Sequence, residues 1–120
     1  MSLANPAVIT INSVAYDLPK INQDNYGSEY LYRGTTFEVR LKIRHSKEAV
    51  KAGTTPMMRH NVDIVQTVYA TVDTPIITRE AYLVIRGEYN DADLNVSYVT
   101  QGLVDFITDA HILDILAWQS

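Results

Sequence analysis

The sequence predicts an α+β fold with an N-terminal β-hairpin, an antiparallel sheet of about five strands and two C-terminal helices. Three observations point there. Residues 36–45 and 57–69 alternate between apolar and polar side chains, the period of a strand with two unlike faces. From Asp91 onward apolar residues recur at spacings of three and four, the period of a helix. Turn-forming residues at Asn12-Ser13, Gly34 and Pro75 divide the first ninety or so residues into short segments.

In chain order, "AVITI" at 7–11 and "VAYDL" at 14–18 are two β-like runs around Asn12-Ser13, a hairpin signal. "PKINQDNYGSE" carries Pro19 and Gly27 and reads as an irregular connection holding at most one short strand. Tyr30–Tyr32 forms another short strand before Arg33-Gly34. In "FEVRLKIRH", Phe37, Val39, Leu41 and Ile43 share one side, and Glu38, Arg40, Lys42 and Arg44 the other. "HSKEAVKAGTTP" is a charged loop with room for a helical turn. In "MMRHNVDIVQTVYATV", His60, Val62, Ile64, Gln66 and Val68 oppose Arg59, Asn61, Asp63, Val65, Thr67 and Tyr69. Pro75 cannot donate to a ladder, so this strand stops before it. "EAYLVIRGEY" at 80–89 has period two, with Tyr82, Val84 and Arg86 against Leu83 and Ile85. A helix follows, with Asp91 or Asp93 near its start and Leu94 or Val96, Val99, Leu103 and Phe106/Ile107 as its stripe. A second, shorter helix is capped by Asp109 and carries Ile112, Ile115 and Leu116.

Composition narrows the function classes. The 120 residues suggest one domain spanning 1–120, and 47% apolar content supplies a core. No apolar run approaches the ~18 residues of a membrane span, and "MSLANPAVIT" does not resemble a secretory signal. Zero cysteines rule out disulfides, zinc–thiolate sites and thiol chemistry. Nucleophile elbow, phosphate loop, dinucleotide fingerprint and HExxH are all missing, so no catalytic residue, cofactor or metal is expected. On one strand His60 and Asp63 point to opposite faces, which makes them a poor metal pair. Asp105, Asp109 and Asp114 read as a solvated acidic face.

Charge is unevenly spread within a net −4. Arg33 to Arg59 holds seven Lys or Arg against two acids, whereas the residues from Asp91 on carry five Asp and no cation. Strands of about ten residues span roughly 33 Å, and a helix covers a strip only ~10 Å wide. Two short helices therefore leave apolar sheet and a strand edge uncovered. An intertwined dimer, each chain's helices lying over its partner's sheet, covers both. The opposite sheet face stays open and carries Arg40, Lys42, Arg44, Arg59, Asn61, Tyr82 and Arg86. Cations, an amide and a tyrosine ring on an open sheet suit phosphate contact and base stacking.

The strings "FEVRLKIR", "RHNVDIVQ", Pro75 in a short loop, "AYLVIRGEY" and "NDADLNVSYVTQGLVDFI", taken in order over 37–109, resemble the coat proteins of levivirus-type single-stranded RNA bacteriophages. That resemblance implies a homodimer with one continuous sheet, assembled into an icosahedral shell whose sheet faces the RNA. It also implies binding of an RNA hairpin that represses translation and marks the genome for packaging. The RNA-facing positions of the family fall on Arg40, Lys42, Arg44, Asn61, Asp63, Tyr82 and Val84. Tyr82 matches the tyrosine that stacks on a loop base. Arg40 and Lys42 stand where the family has small hydroxyl residues of adenine pockets, Asp63 where it has a lysine, and Val84 where it has an amide.

The sequence is therefore expected to encode a structural capsid protein. Its partners would be itself and single-stranded RNA, with no membrane, and it would be assembled in the bacterial host cytoplasm and reside in the virion. Arg40, Lys42, Arg44 and Arg59 would contact phosphates, Asn61 a base or sugar, and Tyr82 would stack. The alternatives are a small dimeric α+β binding module or enzyme with a pocket between sheet and helices, and a non-viral RNA-binding dimer.

Overall fold

The computed structural model describes residues 3–48, 53 and 55–119. β1 (Ala7–Ile11) and β2 (Val14–Leu18) form the expected hairpin. Five further strands form an antiparallel meander: β3 (Lys20–Asp24), β4 (Gly27–Arg33), β5 (Phe37–Lys47), β6 (Met57–Val68) and β7 (Ile77–Glu88), each paired with the next. α1 (Asp93–Phe106) and α2 (Asp109–Leu116) follow.

The hairpin closes through Asn12 and Ser13, both left-handed with φ of 50° and 67°, the paired conformation of a tight two-residue hairpin turn. Asn tolerates this region, whereas Ser does so at a cost. Ser13→Gly is expected to raise stability by about 0.5–1 kcal/mol, read as a shift in the denaturation midpoint at fixed protein concentration.

Several strands run further than their side-chain pattern shows. β3 is polar and does not alternate, yet it pairs as Asn22↔Glu29, Gln23↔Ser28 and Asp24↔Gly27, with an irregularity between Lys20 and Asn22. Its partner supplies the order that its own composition lacks. β5 continues to Lys47 because Ser46 and Lys47 meet Arg59 and Met58. β7 begins at Ile77 because that residue meets Val68. Within 45–56, where a helical turn is expected, residues 45–47 are strand, and 49–52 and 54 lie outside the described residues. The expected cap at Asp109 shifts by one residue: Thr108 is extended and its hydroxyl accepts from the His111 N–H, leaving Asp109 in the first turn. At α1, Asp91 Oδ1 accepts from the Ala92 N–H at 2.8 Å.

Within the chain, the hairpin covers the apolar sheet face. Leu18, Tyr30, Val39, Leu41 and Ile43 are the buried core, with Ala7, Ile9, Ile11 and Tyr16 of the hairpin packed on it. Tyr16, Tyr32 and Phe37 close one end, with ring centroids 5.0–5.9 Å apart. The helices do little of this covering. α1 meets β7, with Val96 against the bare backbone of Gly87, and neither helix contains a buried residue. Val99, Leu103, Leu113, Ile115 and Leu116 are exposed, and Val62, Ile64, Leu83 and Ile85 are only half-buried. The molecule measures 58 × 38 × 25 Å with a radius of gyration of 17.2 Å. A compact chain of this length has a radius near ~14 Å. This chain is spread out: of its helical stripe Val96 meets β7, while Val99 and Leu103 stay exposed.

Candidate nucleic-acid interface

The face opposite the hairpin is set by pairing register. Directly opposed residues of antiparallel strands lie on the same side. Lys42, Asp63 and Tyr82 form one row across β5, β6 and β7, and Arg44, Asn61 and Val84 form the next. Arg40 opposes Val65, and Arg59 lies between Ser46 and Arg86. All eight residues expected to form the site therefore share one surface. Lys42, Arg44 and Arg59 are exposed, Arg40, Asn61, Asp63 and Val84 are half-buried, and the Tyr82 side chain stands out at 68% exposure. His60 lies on the other face from Asp63, as alternation requires.

The same register brings acids onto this face, several of them from outside the Arg33–Arg59 stretch. Glu29 of β4 opposes Lys42 and forms an ion pair with Arg40. Asp24 of β3 accepts from Arg44 at 3.1 Å. Glu48 takes Arg86 through both carboxylate oxygens, at 2.7 and 2.6 Å. Glu38 lies 4.0 Å from Arg33. Glu80 and Glu88 occupy the same side of β7. The face is thus a mixture of paired charges, and Lys42 and Arg59 are its cations without a carboxylate partner among the described residues. Glu29 and Asp24 are the residues that sequence reading missed. Alternation in "GSEYLYR" places Glu29 on the Arg40 side only once β4 is known to pair with β5.

Titration follows these contacts. The Asp24 carboxyl is held below its ordinary 3.8 by the Tyr26 backbone N–H and then by Arg44. Glu48 is held below 4.5 by its hydrogen bond from Arg86. Both carboxylates stay ionised, and both pairs stay made, through neutral and mildly acidic solution. What they contribute is present above the ordinary carboxylate values and is lost as pH falls through the lowered ones. The Asp63 Oδ1 is buried and has no hydrogen-bond partner among the described residues.

The alternative site, between helix and sheet, exists as an open groove of about 560 Å³ lined by Met58, His60, Ile85, Gly87, Val96 and Thr100. Its walls are largely apolar. Among the described residues no group of three or more His, Cys, Asp or Glu is placed to hold a metal ion, and no helix is long and apolar enough to cross a membrane.

Comparison with known proteins agrees with the sheet. The family model described as "Phage phiCb5, coat protein" matches residues 4–88, which include all seven strands and neither helix. No curated protein matches the chain. The chain belongs to the phage phiCb5 coat protein family, and is a structural protein of the virion that self-assembles into the capsid.

Proposed function

We propose that residues 1–120 form one levivirus-type coat domain that dimerises, builds an icosahedral shell in the bacterial host cytoplasm and packages single-stranded RNA on the open sheet face. One observation carries this reading. Arg40, Lys42, Arg44, Arg59, Asn61, Asp63, Tyr82 and Val84 share a surface, while most of the apolar helical stripe stays exposed and the outer edge of β7 pairs with no strand among the described residues. A twelve-residue edge strand is a template for pairing. Two β7 edges side by side join two sheets into one, and each chain's α1 and α2 then lie over Leu83, Ile85, Val62 and Ile64 of the other. Lys42 and Arg59 meet phosphates first, Tyr82 stacks on a base, and Asn61 faces hydrogen-bonding groups of base or sugar. An RNA hairpin in the viral message is the specific ligand this surface suits, and repression of its translation is the consequence.

Size-exclusion chromatography with absorbance at 260 and 280 nm tests this in one run. Megadalton particles with nucleic-acid absorbance support it. A species of tens of kilodaltons without nucleic acid rejects it in favour of a small dimeric binding module or enzyme.

Arg40 and Arg44 reach phosphate only by leaving Glu29 and Asp24. Glu29→Gln with Asp24→Asn is therefore expected to tighten RNA binding, because phosphate no longer competes with these carboxylates for the two arginines. Filter binding measures it, and an unchanged affinity would show that these pairs do not compete with RNA.

A further inference from the structure

A second cluster lies on the hairpin side of the sheet, away from the RNA surface. His45 and His60 are fifteen residues apart in sequence and directly opposed in the β5–β6 ladder. Their Nδ1 atoms are 2.8 Å apart, with ring centroids at 5.1 Å and planes inclined by 70°. His45 is exposed, and His60 is half-buried and opens into the groove beneath α1. Two nitrogens at this distance cannot both carry a proton comfortably: one Nδ1 donates and the other accepts, so at least one ring is neutral.

We propose that His45 and His60 form a cross-strand chelate for a divalent transition-metal ion, Cu²⁺ foremost. Imidazole nitrogens suit Cu²⁺, Ni²⁺ and Zn²⁺, and Cu²⁺ binds most tightly in the divalent series. Metal–imidazole bonds of about 2.0–2.1 Å put two nitrogens about 2.9–3.3 Å apart. The hydrogen bond already holds the two Nδ1 atoms 2.8 Å apart, so little movement brings them to one ion. When the ion binds, the proton on the donating Nδ1 moves to Nε2 of the same ring. Each Nδ1 then gives its lone pair to the metal, and neither ring changes charge. Modest rotation of the rings brings both lone pairs to a shared point. No third His, Cys, Asp or Glu joins them among the described residues, so water takes the remaining positions. The ion would staple β5 to β6 where both strands run into the segment between Lys47 and Met57.

Titration of untagged particles or dimers with Cu²⁺, followed by calorimetry and electron paramagnetic resonance, tests this. One site per chain is expected, with hyperfine coupling to two nitrogens. His45→Gln and His60→Gln should each weaken it at least tenfold, and His111→Gln should leave it unchanged. Wild-type affinity in both His45→Gln and His60→Gln overturns the assignment, as does a comparable loss in His111→Gln. The nitrogen count on the wild-type protein needs no variant to fold, and fewer than two coupled nitrogens also overturns it.

Discussion

Replacing Arg40, Lys42 and Arg44 together by Ser is expected to weaken RNA binding about a hundredfold at ~0.1 M salt while leaving the protein folded and dimeric. Removing one phosphate contact lowers the slope of log affinity against log salt by ~0.7 on single strands, so removing three lowers it by about 2. Folding should survive because Arg44 and its partner Asp24 are half exposed, and exposed pairs contribute little. Arg40 is nearer the limit, since its replacement leaves Glu29 without its cation on a half-buried surface. The single variants should rank accordingly. Lys42→Ser removes a cation with no carboxylate partner and should weaken binding most. Arg40→Ser and Arg44→Ser remove cations that RNA must first detach from Glu29 and Asp24, and should weaken it less. Filter binding over a salt series reads slope and affinity together. Equal slopes for wild type and triple variant would remove this face from RNA contact.

Gly27→Ala should destabilise the protein by about 3 kcal/mol, at the upper end of what overpacking usually costs. A Cβ at this position would lie 2.1 Å from the Ile43 backbone oxygen, 2.9 Å from Arg44 Cδ and 3.1 Å from Arg44 Cα. A side chain could rotate away; a carbonyl held in the β4–β5 ladder cannot. Strands β4 and β5 would have to separate where Gly27 pairs with Arg44, beneath the Asp24–Arg44 contact. For a chain of this size the cost corresponds to a fall of roughly 10 °C in melting temperature, or to failure to accumulate as soluble protein. Thermal unfolding at matched protein concentration measures it, and a shift of less than about 2 °C would mean that the ladder yields more easily than its geometry implies.

Much of the open face is legible in the amino-acid sequence. Arg40, Lys42 and Arg44 alternate with Val39, Leu41 and Ile43, and Asn61 and Asp63 with Val62 and Ile64, so each strand announces its own two sides. The hairpin ends and the two helices are equally plain, because Asn12-Ser13 and the stripe from Val96 to Phe106/Ile107 are local signals. β3 is not, since "KINQD" has no alternation and becomes a strand only by pairing with β4. The role of the hairpin is also hidden. Nothing in "AVITI" or "VAYDL" says that Ile9 and Tyr16 cover Val39 and Leu41 while the helices stay clear of the core.

Sequence by itself determined which side chains of each strand share a side, because alternation follows from the covalent geometry of an extended chain. Tertiary structure alone decided which strands lie together and in what register. That choice put Glu29 against Arg40, Asp24 against Arg44 and His45 against His60. Such pairings depend on hydrogen bonds between residues 11 to 20 positions apart, and no local pattern encodes them.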